Sequence, residues 1–61
     1  MDIEITSICL LDDGTLDTVI YVCGNKGSRT YRYNIEFEQD DNREAICKGL
    51  AEEDYYNEFS Q

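Results

Sequence analysis

Apolar and polar positions alternate most clearly over Thr30–Glu38. Tyr31, Tyr33, Ile35 and Phe37 share one parity, and Arg32, Asn34, Glu36 and Glu38 share the other. A period of two marks a strand buried on one side, so this stretch is predicted to be a strand. Two earlier runs are also rich in β-branched residues: Asp2–Leu11, and Leu16–Cys23 with Thr-Val-Ile-Tyr-Val at its centre. Asp12-Asp13-Gly14-Thr15 separates the first run from the second, and Gly24-Asn25-Lys26-Gly27-Ser28 separates the second from the third. Both separators are built from residues suited to turns. Connections this short permit only antiparallel neighbours, so the three runs are expected to form a meander.

The alternation stops at Gln39–Asn42, and a helical pattern follows. Asp41 or Asn42 can cap the helix, and Glu44 stands in its first turn, where the helix dipole favours negative charge. Ile46 and Leu50 are four apart and are expected to face the sheet together. Tyr55 and Phe59 form a second pair at the same spacing, off the stripe set by Ile46 and Leu50. With Gly49 weakening the middle, a bend near Gly49–Leu50 would reconcile the two pairs. The predicted fold class is α+β: a three-stranded antiparallel meander and a C-terminal helix, β-β-β-α, in a single small domain spanning residues 1–61.

One irregularity complicates this layout. In the first run Ile3, Ile5, Cys9 and Leu11 share a parity, whereas Ile8 and Leu10 have the opposite one. The second run likewise splits Ile20 and Val22 from Val19 and Tyr21. One helix covers one face of a sheet, so the second apolar face needs a bent C-terminal tail, a second copy of the chain or a partner.

Charge sharpens the picture. The chain has fourteen acids, five bases and no histidine, for a net charge of −9. Residues 1–17 hold five acids and no base, residues 18–35 hold Lys26, Arg29 and Arg32 with no acid, and residues 36–61 hold nine acids against Arg43 and Lys48. Such a chain is repelled by nucleic acid and anionic membrane and attracted by basic protein surfaces. Neither direct nucleic-acid binding nor membrane association is expected, because three bases on so negative a body are too few. Met1 is followed at once by Asp2 and Glu4, unlike a basic targeting segment, and the expectation is a cytoplasmic protein. Cys9, Cys23 and Cys47 lie in apolar runs at scattered spacing. They read first as thiols of a reducing compartment, and second as a Cys9–Cys23 bridge between neighbouring strands.

Recognisable catalytic chemistry is scarce. The chain lacks the side chain that most readily serves as a general base at neutral pH. A domain this thin, burying about 60% of its unfolded surface, has little room for a pocket that would tune a carboxylate pair. No enzyme activity, cofactor or metal is expected. Gly24–Ser28 lacks the spacing and the Gly-Lys-Ser/Thr ending of a phosphate loop. Asp12–Asp17 lacks the glycine and glutamate positions of a calcium loop.

The acidic C-terminal block is the candidate site. Carboxylates at alternate strand positions stand about 6.6 Å apart, so Glu36, Glu38 and Asp40 would form a row that Asp41 and Glu44 extend. Glu52, Glu53, Asp54 and Glu58 form a second group, interleaved with Tyr55, Tyr56 and Phe59. Rows of fixed negative charge can replace nucleic-acid phosphates in a basic groove, and aromatics suit an interface centre. The leading expectation is a small protein-binding module that docks this surface into a basic site on another protein, with a nucleic-acid-binding site as the example that phosphate-like rows suggest. Small acidic proteins that disable a host protein are common among bacteriophage early products, which makes an inhibitor the natural form of such a module. The alternative is a structural homo-oligomer that uses the second apolar sheet face.

Overall fold

The computed structural model describes residues 2–11, 14, 16–36, 38 and 42–60. Three strands, β1 (Ile5–Leu11), β2 (Thr18–Gly24) and β3 (Gly27–Tyr33), form one antiparallel sheet in the order β1-β2-β3, and a single helix α1 (Arg43–Phe59) follows. The β-β-β-α arrangement is the one the pattern predicts. The boundaries differ in ways that bear on the site.

The β2–β3 turn fixes the register of its hairpin. Gly24 pairs with Gly27 and the pairing continues without a shift to Thr18 and Tyr33. Gly27 carries the positive φ of the turn, 121°, so Asn25 and Lys26 keep ordinary negative values. Strand β3 therefore begins three residues earlier than the alternation suggests and ends when its partner does, at Tyr33. Ile35 continues the alternation in sequence but has left the sheet, and is 43% exposed. Phe37 lies outside the described residues.

Strand β1 carries a bulge that re-sorts its apolar positions between the two faces. Ile5 pairs with Gly24, and the next pair along is Ser7 with Cys23, so the register shifts between them and Thr6 is the extra residue of a β-bulge. One inserted residue exchanges the faces of everything beyond it. Ile3 and Ile5 before the bulge, and Ile8 after it, all pack against the core of Ile20, Val22, Cys47, Ala51 and Tyr55. Cys9 and Leu11 fall on the other face, beside Tyr21 and Val19. That face also carries Ser7, Cys23, Ser28, Thr30 and Arg32, the cross-strand neighbours in the same rows. The second face is thus more polar than unbroken alternation implies. Cys9 is aligned with Tyr21 and Cys23 with Ser7 and Ser28, and all three cysteines are unbridged.

Helix α1 is continuous for seventeen residues and does not break at Gly49. Asn42 caps it, its side chain accepting the Ala45 N–H at 3.1 Å. Asp41, the other candidate cap, lies outside the described residues. The buried stripe is Cys47, Ala51 and Tyr55, with Phe59 next in the same series. Four-residue steps through a small thiol and a methyl let the helix approach the sheet closely. Ile46 does not face the sheet as expected: it is 41% exposed, and Leu50 is only partly buried. The helix ends in a cap at Ser60, whose N–H donates to Tyr56 O, and among the described residues the segment after Gly49 stays in this helix and packs Ala51, Tyr55 and Phe59 on the core side of the sheet.

Candidate protein-docking surface

Four of the twelve predicted surface residues, Asp54, Tyr55, Glu58 and Phe59, are engaged by the fold. Tyr55 is fully buried. Its hydroxyl donates to Gly27 O at 2.8 Å and accepts the Lys26 N–H at 3.2 Å, pinning the helix to the β2–β3 turn. The approach depends on Gly24: a β-carbon there would collide with the Glu4 carbonyl and lie 2.7 Å from the Tyr55 hydroxyl. Asn25 anchors the N-terminal segment to the same turn. Its amide donates to Asp2 O, its side-chain oxygen accepts the Glu4 N–H, and its own N–H donates to Glu4 O, each at 2.9 Å.

A polar seam runs along the other side of the helix. Arg29 binds Glu58 at 2.8 Å, and its guanidinium lies over the Phe59 ring, 4.7 Å from the centroid. The Phe59 ring in turn tilts against Tyr55 at 4.6 Å. The helix has no base in its own last turn, and Arg29 brings a positive charge there from β3. Tyr31 donates to Glu58 at 3.3 Å, and Tyr33 donates to Asp54. Both phenols are pushed above the usual tyrosine range, first by partial burial and then by the carboxylates they face. Asp54, Tyr55, Glu58 and Phe59 therefore hold helix to sheet. Sequence reasoning missed this because the basic strand and the acidic helix are separate blocks along the chain, and only the hairpin register brings them together.

The remaining candidates divide by element. Glu52, Glu53 and Tyr56 all point outward from α1, and Tyr56 is 38% exposed. Glu44 is also exposed and pairs with Lys48 at 3.1 Å, one helical turn on. Glu36 and Glu38 are exposed but lie past the end of β3, so they do not form the alternating row expected of a strand. Asp40 and Asp41 lie outside the described residues. What the structure brings together is a helical face with Glu52 and Glu53 beside Tyr56.

The basic strand is divided between the two acidic blocks. Arg29 binds Glu58, from the C-terminal block, and Arg32 binds Asp17, from the N-terminal block, at 3.3 Å. On the open sheet face the Cys23 thiol lies 3.4 Å from the Ser28 hydroxyl, and this contact, followed by Tyr21, holds the thiol below its ordinary value. Among the described residues no group of three or more potential metal ligands converges, and no helix is long and apolar enough to cross a membrane. Comparison of the chain with protein families, with characterised proteins and with solved structures finds no match.

Proposed function

We propose that this chain is a small protein-binding module that docks an acidic helical face into a basic site on another protein, of the kind that otherwise holds nucleic acid, and so acts as an inhibitor. The observation that carries the reading is the division of labour along α1. Tyr55, Phe59, Asp54 and Glu58 are spent on the sheet, whereas Glu52, Glu53 and Tyr56 are turned to solvent. An exposed tyrosine beside two carboxylates supplies a contact residue within a field that steers a basic partner. The wider charge of −9 strengthens that steering at low salt. The bulge in β1 brings Ile8 and Leu10 to the helix side with Ile3 and Ile5 and leaves Cys9, Leu11, Val19 and Tyr21 on a second face shared with Ser7, Ser28, Thr30 and Arg32, a mixed surface that favours a homo-oligomer less than a wholly apolar face would.

The test is affinity capture from a bacterial lysate with and without excess duplex DNA, comparing the natural chain with Glu52→Lys/Glu53→Lys and with Asp2→Lys/Glu4→Lys. The two variants change net charge equally, so they separate the helical face from bulk acidity. The expected result is a basic, nucleic-acid-binding protein that DNA displaces, retained by the natural chain and by Asp2→Lys/Glu4→Lys but lost from Glu52→Lys/Glu53→Lys. Equal capture by the natural chain and Glu52→Lys/Glu53→Lys would sink the proposal.

A further inference from the structure

Two exposed leucines sit side by side on one strand. Leu10 and Leu11 are 43% and 41% exposed, and as consecutive residues of β1 they stand on opposite faces of the sheet. Leu10 is aligned with Ile20, on the helix side, and Leu11 with Val19, on the open side. A body laid on one face covers one of them. A strand added beside β1 covers both, because its own side chains alternate between the same two faces.

Strand β1 is open to such an addition. It is an edge strand, and among the described residues β2 is its sole pairing partner. Soluble proteins usually blunt an edge with lysine, proline or very short length. Ile5–Leu11 reads Ile-Thr-Ser-Ile-Cys-Leu-Leu, seven residues with neither charge nor proline. The bulge at Thr6 distorts its start and leaves Ser7–Leu11 in regular register. The opposite edge, β3, carries Arg29 and Arg32.

Charge selects the occupant. Asp2 and Glu4 precede the strand in the sequence, and Asp12 and Asp13 follow it. A second copy laid antiparallel along β1 would bring together two chains each carrying −9, in both of which acids precede and follow the strand in the sequence. A strand with an apolar centre and basic ends meets the opposite pattern. We propose that the outer edge of Ser7–Leu11 is a β-augmentation site for an extended segment of a partner protein, alternating and apolar at its centre and flanked by lysine or arginine. Main-chain hydrogen bonds along the edge hold the segment, Leu10 and Leu11 receive its side chains on the two faces, and the flanking acids favour its ends. This site uses none of Glu52, Glu53 or Tyr56 and stands independently of the helical docking face.

The probe is a synthetic peptide of alternating valine and threonine with two lysines at each end, compared with the same peptide carrying glutamates instead. Binding is followed by amide resonance titration and hydrogen exchange on the full chain, with sedimentation equilibrium of the chain alone. Amides of Ser7–Leu11 are expected to gain protection, with the lysine peptide bound about tenfold or more tighter than the glutamate peptide at low salt. Leu10→Lys/Leu11→Lys and Asp2→Lys/Glu4→Lys should each weaken the lysine peptide about tenfold or more by placing like charges together, whereas Glu52→Lys/Glu53→Lys should retain it. Should the double leucine variant lose its helical signal, Leu11→Lys decides, since Leu11 lies on the face away from the helix. Absence of protection in β1, or equal binding of the two peptides, overturns the proposal. So does a dimer of the chain alone that Leu11→Lys dissociates, which would make a second copy the occupant.

Discussion

Tyr33 donates to Asp54 and Tyr31 to Glu58, so two phenols of β3 hold two carboxylates of α1. Both phenols are raised above the ordinary value of 10, chiefly by partial burial. A group whose folded-state pKa exceeds its unfolded value contributes stability that is complete below the unfolded value and lost as pH climbs through the folded one. Tyr33→Phe should therefore cost about 1–2 kcal/mol at neutral pH, the loss of one partly buried bond to a charged group, with the difference shrinking above about pH 10. Urea unfolding across that range measures it, and a gap that stays constant from neutral pH to pH 11 would show that the phenol acts through packing alone. From sequence these acids looked equivalent to Glu52 and Glu53, because nothing local distinguishes a carboxylate that faces a tyrosine from one that faces water. Tyr55 was harder still to place, since a buried tyrosine and an interface tyrosine share the same chemistry.

At the scale of elements, β1 and α1 each depart from the simplest pattern in one respect. The hydrophobic positions of β1 were legible, but their conflict of parity read as two apolar faces. The bulge at Thr6 is the device that brings most of them to one face. For α1 the apparent conflict arose from Ile46 and Leu50, the large aliphatics. The helix instead buries Cys47 and Ala51, whose small side chains leave room for Tyr55 and Phe59 in the same series. A continuous helix makes a direct prediction at Gly49, where an added β-carbon would meet nothing within 4 Å. Gly49→Ala should stabilise the protein by about 0.5–1 kcal/mol through reduced backbone entropy of the unfolded chain and better helix propensity. Denaturant unfolding reads this, and a destabilised alanine variant would mean that the helix needs glycine there for a bend.

Across the whole molecule the three charge blocks fold back on one another. Strand β3 lends Arg32 to the N-terminal acids and Arg29 to the C-terminal ones, while the net charge stays at −9. Exposed pairs of this kind contribute about 0–1 kcal/mol each, so self-repulsion among the remaining acids is the larger electrostatic effect on a domain with only about 3–5 kcal/mol to spare. The melting temperature should rise on going from low to moderate salt, because screening relieves repulsion more than it weakens the pairs. Scanning calorimetry at two salt concentrations tests this, and a falling melting temperature would give the ion pairs the greater weight.

The fold class, the number of strands, the helix and a cap at Asp41 or Asn42 were all written in the periodicity and turn residues, because these are local properties of the chain. The acidity of the C-terminal block was equally plain from composition. Register was not. A two-residue turn and a single bulged threonine set which side chains meet across the sheet, and those meetings engage Asp54, Tyr55, Glu58 and Phe59 with the sheet while leaving Glu52, Glu53 and Tyr56 turned away from it. Contacts between residues more than twenty positions apart depend on that register, and no pattern along the chain encodes it.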